Sequence, residues 1–79
     1  MSTSARAREV RAADVRIGRH HLEVALVDGR TIRVPFAWFP RLQAATPEQR
    51  RAWRLIGKGI GIRWESIDED LSVANLLRA

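Results

Sequence analysis

Residues 28–50 read DGRTIRVPFAWFPRLQAATPEQR, a stretch that turns the chain, stiffens it with two prolines and then begins a helix. Apolar and polar residues alternate on both sides of its Asp-Gly pair, a pattern typical of two half-buried strands. A three-residue loop ending on this glycine pairs Val24 with Ile32 and Leu22 with Val34 on one face, whereas a two-residue loop places apolar side chains on opposite faces. The sequence therefore predicts a bulged hairpin with a left-handed glycine.

Two further strands are predicted on either side of this stretch. Their apolar residues alternate with polar or glycine residues, at Ala13, Val15 and Ile17 in one and at Ile60, Ile62 and Trp64 in the other. Because consecutive strands joined by short loops pair in antiparallel fashion, we expect an α+β fold with a small antiparallel sheet of three to five strands.

Two helices are also predicted. Thr46 is a suitable N-cap, a proline follows it, and a glutamine stands three residues after the cap, so a helix is expected at about 47–55. Arg50 and Arg54, four residues apart, would share its solvent face. Ser72 can cap a short C-terminal helix whose apolar residues would pack on the sheet, at Val73, Leu76 and Leu77.

The size of the chain, 79 residues, fits one domain, which we place at 9–79 after a flexible tail at 1–8. No apolar run approaches the length of about 20 residues that spans a bilayer. The chain has no cysteine, and its first residues lack the apolar segment of a secretory signal. These features predict a soluble protein with a cytoplasmic location and no membrane partner.

The charge distribution leaves nucleic acid as an alternative partner. The net charge is +5, and residues 1–63 carry 13 basic and 5 acidic side chains, whereas residues 64–79 carry 1 and 4. Such asymmetry is typical of a nucleic-acid footprint. Thirteen of the fourteen basic residues are arginine, a bias that GC-rich coding also produces, so the charge alone favours the compositional explanation over nucleic-acid binding.

Three segments together resemble a known bacterial family. The order DGRTIRVPFAWFPRL, ATPEQRRAWRLIGKGIGIRW and IDEDLSVANLL, within about 10–78, is similar to the family catalogued as domain of unknown function 2442. The resemblance implies an α+β unit, sometimes joined to a helix-turn-helix domain and often encoded beside another small protein, as in toxin–antitoxin pairs. It implies no catalytic activity.

The resemblance also implies roles for single residues. Asp28 and Gly29 would make the hairpin turn, two prolines would frame the aromatic elbow, and the core would be supported by Trp53, Gly61 and Trp64. Two positions depart from the family pattern. Phe39 stands where tyrosine is common, so no phenol is available there, and Glu65 stands where proline is usual.

Motifs for catalysis, metals and phosphate are weak. His20 and His21 are adjacent and would point to opposite faces of a strand. An acidic group, which comprises Glu65, Asp68, Glu69 and Asp70, lacks the spacing of a calcium loop, and we expect it to be a solvated helix entrance. The glycine-rich run at 57–61 follows a helix and precedes a strand, the reverse of a phosphate loop. We therefore expect no enzyme activity, cofactor or metal.

The elbow between Pro35 and Pro40 is the strongest candidate for binding. We expect Phe39 to be buried. Trp38 is either partly exposed, since a domain of this size rarely buries three tryptophans completely, or it packs with Phe39 at the end of the sheet. The expected function is therefore that of an antitoxin-like or adaptor module that binds a small protein partner, such as a toxin encoded nearby, with a homodimer as an open alternative. The candidate contact residues are Trp38, Arg41, Arg50, Arg54, Asp68 and Asp70.

Overall fold

A computed structural model describes residues 10–78, and the predicted flexible tail at 1–8 lies outside the described residues. These residues form an α+β fold, as predicted, but with two three-stranded antiparallel sheets rather than one. The first sheet comprises β1 (Ala12–Ile17), β2 (His21–Leu26) and β3 (Thr31–Pro35). The second comprises β4 (Trp53–Ile56), β5 (Gly61–Trp64) and β6 (Glu69–Ser72). Three short helices complete it: α1 (Pro40–Ala44), α2 (Pro47–Arg51) and α3 (Val73–Arg78).

The β2–β3 hairpin has the predicted register. Val24 pairs with Ile32 and Leu22 pairs with Val34. The Leu26 amide donates to the Arg30 carbonyl across the three-residue loop, and Gly29 has a φ of 97°. This left-handed conformation is the reason that a glycine stands there.

The β1 strand corrects one detail of the prediction. Ala12 and Val15 are buried, whereas Ala13 is exposed. The register against β2 shifts between Ala12 and Asp14, so Ala13 is the extra residue of a β-bulge. A bulge breaks the period of two, which is why alternation alone assigned Ala13 to the wrong face.

The helix predicted at about 47–55 is shorter than expected. Its capping box is present, because the Gln49 amide donates to Thr46 Oγ1 at 3.1 Å and the Thr46 amide donates to Gln49 Oε1 at 2.9 Å. However, α2 ends at Arg51, and the chain enters β4, which pairs with β5. Arg54 is therefore a strand residue, and the predicted helical face shared by Arg50 and Arg54 does not exist.

The segment before α3 was also assigned wrongly. Glu69 and Asp70 belong to β6, where Leu71 pairs with Ile62, so they are not a helix entrance. The α3 helix begins as predicted, and the Asn75 amide donates to Ser72 Oγ at 3.3 Å. Two apolar residues are more exposed than predicted. Leu77 is 38% exposed, and Ile60 lies before β5 and is 51% exposed.

One core joins the two sheets. Its fully buried members include Leu22 and Val24 from the first sheet and Ile62 and Trp64 from the second. The Trp64 indole donates to the Arg50 carbonyl at 2.8 Å, so the largest buried side chain also has its polar atom satisfied. Trp53 packs against this core while remaining half-buried.

Candidate functional site

The elbow after β3 separates buried aromatic rings from an exposed one. The Pro35 residue ends β3, a 3₁₀ turn spans Phe36–Trp38, and Pro40 begins α1. Phe36 is 1% exposed, and Phe39 is partly buried against the core. Trp38 is 53% exposed, so of the two alternatives left open for this residue the structure has partial exposure. The elbow thus fixes its own backbone with two rings and presents the third to solvent.

Arg50 holds this elbow from inside the fold. Its guanidinium carbon lies 4.4 Å from the centroid of the Phe36 ring, a cation–π contact. Its Nε and Nη2 donate to the carbonyls of Leu42 and Gln43, each at 2.8 Å. Because these carbonyls belong to the last turn of α1, Arg50 caps that helix. Arg50 therefore has a structural position and is not a freely available contact residue.

A second group of charges surrounds Arg63 on the outer face of the second sheet. We call Arg63 and its three carboxylates, Glu65, Asp68 and Asp70, the Arg63 cluster. The guanidinium lies 2.9 Å from Asp68 Oδ1, 3.0 Å from Asp70 Oδ1 and 3.3 Å from Glu65 Oε2. Asp68 adopts a left-handed backbone, with φ 54°, at the turn between β5 and β6. The cluster thus ties this turn to the sheet.

Hydrogen bonds in the Arg63 cluster shift its acid–base equilibria. Those from Arg54 and Arg63 lower the pKa of Glu65, and the one from Arg63 lowers the pKa of Asp68. The hydrogen bonds that Arg63 donates to Asp68, Asp70 and Glu65 raise the pKa of Arg63. All three shifts favour the charged forms, so the cluster is held together as ion pairs.

Two predicted contact residues join this cluster from other elements. Arg54 Nη2 lies 2.6 Å from Glu65 Oε2, and Arg41 donates to the Asp68 carbonyl. Arg41 Nη1 also lies 3.9 Å from Glu69 Oε1. The structure therefore brings together Arg41, Arg54, Asp68 and Asp70, while Trp38 and Arg50 belong to the elbow.

Sequence reasoning missed Arg63, the centre of this cluster. The available signal was the alternation of Ile62 and Trp64, which places Arg63 on the opposite face of the strand. Its partners could not be found because β6 was unrecognised. Arg63 pairs directly with Arg54 on one side and with Asp70 on the other. Glu65 Oε2 contacts both arginines and offsets their repulsion.

The geometry of these charges does not resemble a metal centre. Within residues 10–78, no group of three His, Cys, Asp or Glu side chains is placed to hold a metal ion. The carboxylates point instead at Arg63. His21 Nε2 lies 4.0 Å from Glu23 Oε2 on the outer face of the first sheet.

Comparison with known proteins agrees with this fold. The chain belongs to the family described as Protein of unknown function (DUF2442), whose model matches residues 12–79. A solved structure of a protein of unknown function from Rhodospirillum rubrum ATCC 11170 is similar, with 35% sequence identity and a TM-score of 0.80. The match covers 89% of this chain and 87% of that chain. A search of the curated proteins found no match.

Within residues 10–78, no helix is both long enough and apolar enough to cross a bilayer.

Proposed function

We propose that this protein is a non-enzymatic binding module, antitoxin-like or adaptor in type, that docks on a small protein partner in the cytoplasm through its aromatic elbow. The observation that carries the proposal is the position of Trp38. Tryptophan is enriched among the residues that dominate binding energy at protein interfaces, and here it is 53% exposed.

The rigidity of the elbow supports this proposal. Pro35 and Pro40 restrict the backbone on both sides of Trp38, and Phe36 is buried beneath Arg50. A side chain presented by a rigid backbone loses little conformational freedom on binding, so more of its contact energy appears as affinity.

The Arg63 cluster supports a contact at the edge of the interface. Arg54, Glu65 and Asp70 each keep more than half of their side chain exposed. Their mutual ion pairs fix them in place, and fixed charges contribute more to specificity and to the rate of association than to affinity. A homodimer that uses the same surfaces is a variant of this proposal.

Nucleic acid is a second candidate with less support. Four arginines could follow phosphates, and three of them already contact carboxylates or carbonyls in the fold. These three are Arg41, Arg50 and Arg54, and the fourth is Arg51. Binding to a backbone of phosphates would require these contacts to be exchanged. A strong loss of affinity for DNA or RNA between about 50 and 200 mM salt would favour this alternative, provided that the Arg54→Gln variant does not show this dependence on salt.

The proposal is tested by co-expression with the product of the adjacent gene, followed by co-purification and titration calorimetry. We expect Trp38→Ala to weaken the complex by at least about 30-fold, as expected for a central interface tryptophan. Val27→Ala is the matched control, because Val27 is 64% exposed in the hairpin loop of the first sheet. Arg54→Glu should reduce the association rate. Arg50 is left intact, since its replacement would disturb the elbow itself.

Two outcomes would count against the elbow as the binding surface. One is the absence of any complex between the wild-type chain and the neighbouring gene product. The other is a folded Trp38→Ala variant, verified by circular dichroism, that binds as tightly as the Val27→Ala control.

A further inference from the structure

Beside the Arg63 cluster, the outer face of the second sheet has a region with few charged side chains. One cross-strand row on this face consists of Arg54, Arg63 and Asp70. The next row on the same face, two residues further along each strand, consists of Ile56, Gly61 and Ser72. A β-carbon on Gly61 would lie 3.0 Å from Ile56 Cγ1. The side chain of Ile56 therefore lies over the glycine, and the sheet is shallow at this point.

This shallow region is the floor of an open groove of about 690 Å³. Its apolar lining includes the side chains of Ile56, Ile60 and Ala74. Ile60 is 51% exposed, so a large aliphatic side chain faces solvent at the groove. The volume falls in the range of sites that hold drug-sized ligands, which corresponds to a short peptide segment.

Lys58 is the cation that carries the charge argument at the groove. It lines the groove and forms no ion pair with any residue in the described range 10–78. Among the described residues 10–78, the lining includes one carboxylate, that of Asp70, which is already 3.0 Å from Arg63 Nη1. An occupant that brings a carboxylate would pair with Lys58, whereas one that brings a cation would face it.

We propose that this groove docks an acidic, aliphatic segment of a partner protein, with aliphatic side chains against Ile56 and Ile60 and a carboxylate beside Lys58. The site is separate in composition from the Trp38 elbow, and the inference does not depend on the proposed function. A peptide fits better than a small molecule because the groove is open, whereas small-molecule sites usually enclose most of their ligand.

The test uses three fluorescein-labelled pentapeptides and measures anisotropy with the full chain. The first has three aliphatic residues between two aspartates, the second replaces the aspartates with lysines, and the third replaces the aliphatic residues with serines. We expect the first to bind at least about tenfold more tightly than the third, as burial of one aliphatic side chain contributes, and about two- to fivefold more tightly than the second, as one exposed charge contact contributes.

Variants of the groove test its two components separately. Ile60→Ser should weaken binding of the first peptide by about tenfold, whereas Val27→Ser, which removes an exposed aliphatic residue outside the groove, should leave it unchanged. Lys58 has a left-handed backbone, with φ 58°, which asparagine tolerates well. Lys58→Asn should therefore keep the fold and weaken the aspartate peptide by about two- to fivefold without affecting a version with neutral ends.

Four results would overturn the proposal. They are equal affinity for the aspartate and lysine peptides, binding unaffected by Ile60→Ser, displacement of the peptide by decanoate at similar concentration, and a dimer in sedimentation that Ile60→Ser dissociates. The last two would assign the groove to a small amphipathic acid or to a second copy of the chain. A Trp38→Ala variant should bind the peptide normally, so failure of the elbow proposal is distinguished from failure of this one.

Discussion

The two sheets share one topology, three consecutive antiparallel strands, but they differ in how their outer faces are held. The outer face of the first sheet carries contacts between neighbours, such as Arg33 with Glu23 on the paired strand. The outer face of the second carries the Arg63 cluster, which also contacts Arg41 from α1. The ion pairs of the first sheet join strands that the hairpin already holds side by side. The Arg63 cluster instead connects segments that the chain does not otherwise hold together.

The largest expected effect tests whether the two sheets depend on one core. We expect Trp64→Ala, in the second sheet, to lower the free energy of unfolding by about 3–5 kcal/mol, and Leu22→Ala, in the first, by about 2–5 kcal/mol. Both side chains are fully buried in the same cluster. For a domain of this size such losses approach the whole stability. Urea unfolding followed by circular dichroism measures both.

The idea of one shared core would be contradicted if either variant lost only about half of its circular dichroism signal in a first urea unfolding transition. That result would mean that the sheets unfold as separate units. A single cooperative transition in both variants, shifted to lower urea, supports one shared core.

The same contrast explains which parts of the fold could be predicted. The β2–β3 hairpin was correct down to its register because alternation, the Asp-Gly pair and the parity of the faces all depend on nearby residues. The capping box at Thr46 and the cap at Ser72 are local in the same sense. These features are decided within a few residues, and the sequence displays them directly.

The second sheet could not be predicted in the same way. Residues 53–56 read WRLI, a run too short for its period to separate strand from helix, and the pairing of β4 with β5 decides it. The β6 strand buries one large apolar side chain, Leu71, among polar neighbours. The candidate contact residues on this sheet were identified individually, but their arrangement around Arg63 depends on strand pairing.

A second test concerns the contact between the sheets, using two glycines with nearly the same φ. Gly59 has φ 98° and Gly29 has φ 97°. A β-carbon on Gly59 would lie 2.5 Å from the Ala12 carbonyl oxygen, whereas one on Gly29 would meet nothing within 4 Å. We expect Gly29→Ala to cost about 1–2 kcal/mol from conformation alone, and Gly59→Ala at least about 1 kcal/mol more. Thermal unfolding measures the difference.

Equal losses in the two glycine variants would show that the close approach of Gly59 to Ala12 does not constrain the sheets. The comparison is well matched because the conformational cost is common to both positions and cancels.

A third test separates adjacent arginines of α2. Arg50 donates to two carbonyls and lies over Phe36, whereas Arg51 is exposed. We expect Arg50→Ala to lower the free energy of unfolding by about 2 kcal/mol, and Arg51→Ala by less than about 0.5 kcal/mol. Urea unfolding gives both values. Similar effects would mean that Arg50 acts only through the net charge, and the structural role assigned to it at the elbow would be wrong.

The smallest expected effect is on the pH dependence of the free energy of unfolding. It distinguishes an ion pair in the hairpin of the first sheet from the Arg63 cluster. The bond from Arg30 lowers the pKa of Asp28, and bonds from Arg54 and Arg63 lower the pKa of Glu65. A carboxyl whose pKa is lowered by folding stabilises the fold above its unfolded pKa, near pH 4, and loses this contribution as the pH falls through the folded value. Arg63→Gln should therefore cost most stability at pH 7 and progressively less towards pH 2.

Arg30→Gln is the matched control, because within residues 10–78 Arg30 has one carboxylate partner and Arg63 has three. The side chain of Arg63 is 21% exposed and that of Arg30 is 58% exposed, so water and salt screen the cluster less. The loss caused by Arg63→Gln should therefore exceed that caused by Arg30→Gln and persist in high salt, as measured by urea unfolding at each pH. If the two losses were equal and vanished together in salt, the cluster would be a set of independent surface pairs, and the contrast between the outer faces would have no energetic counterpart.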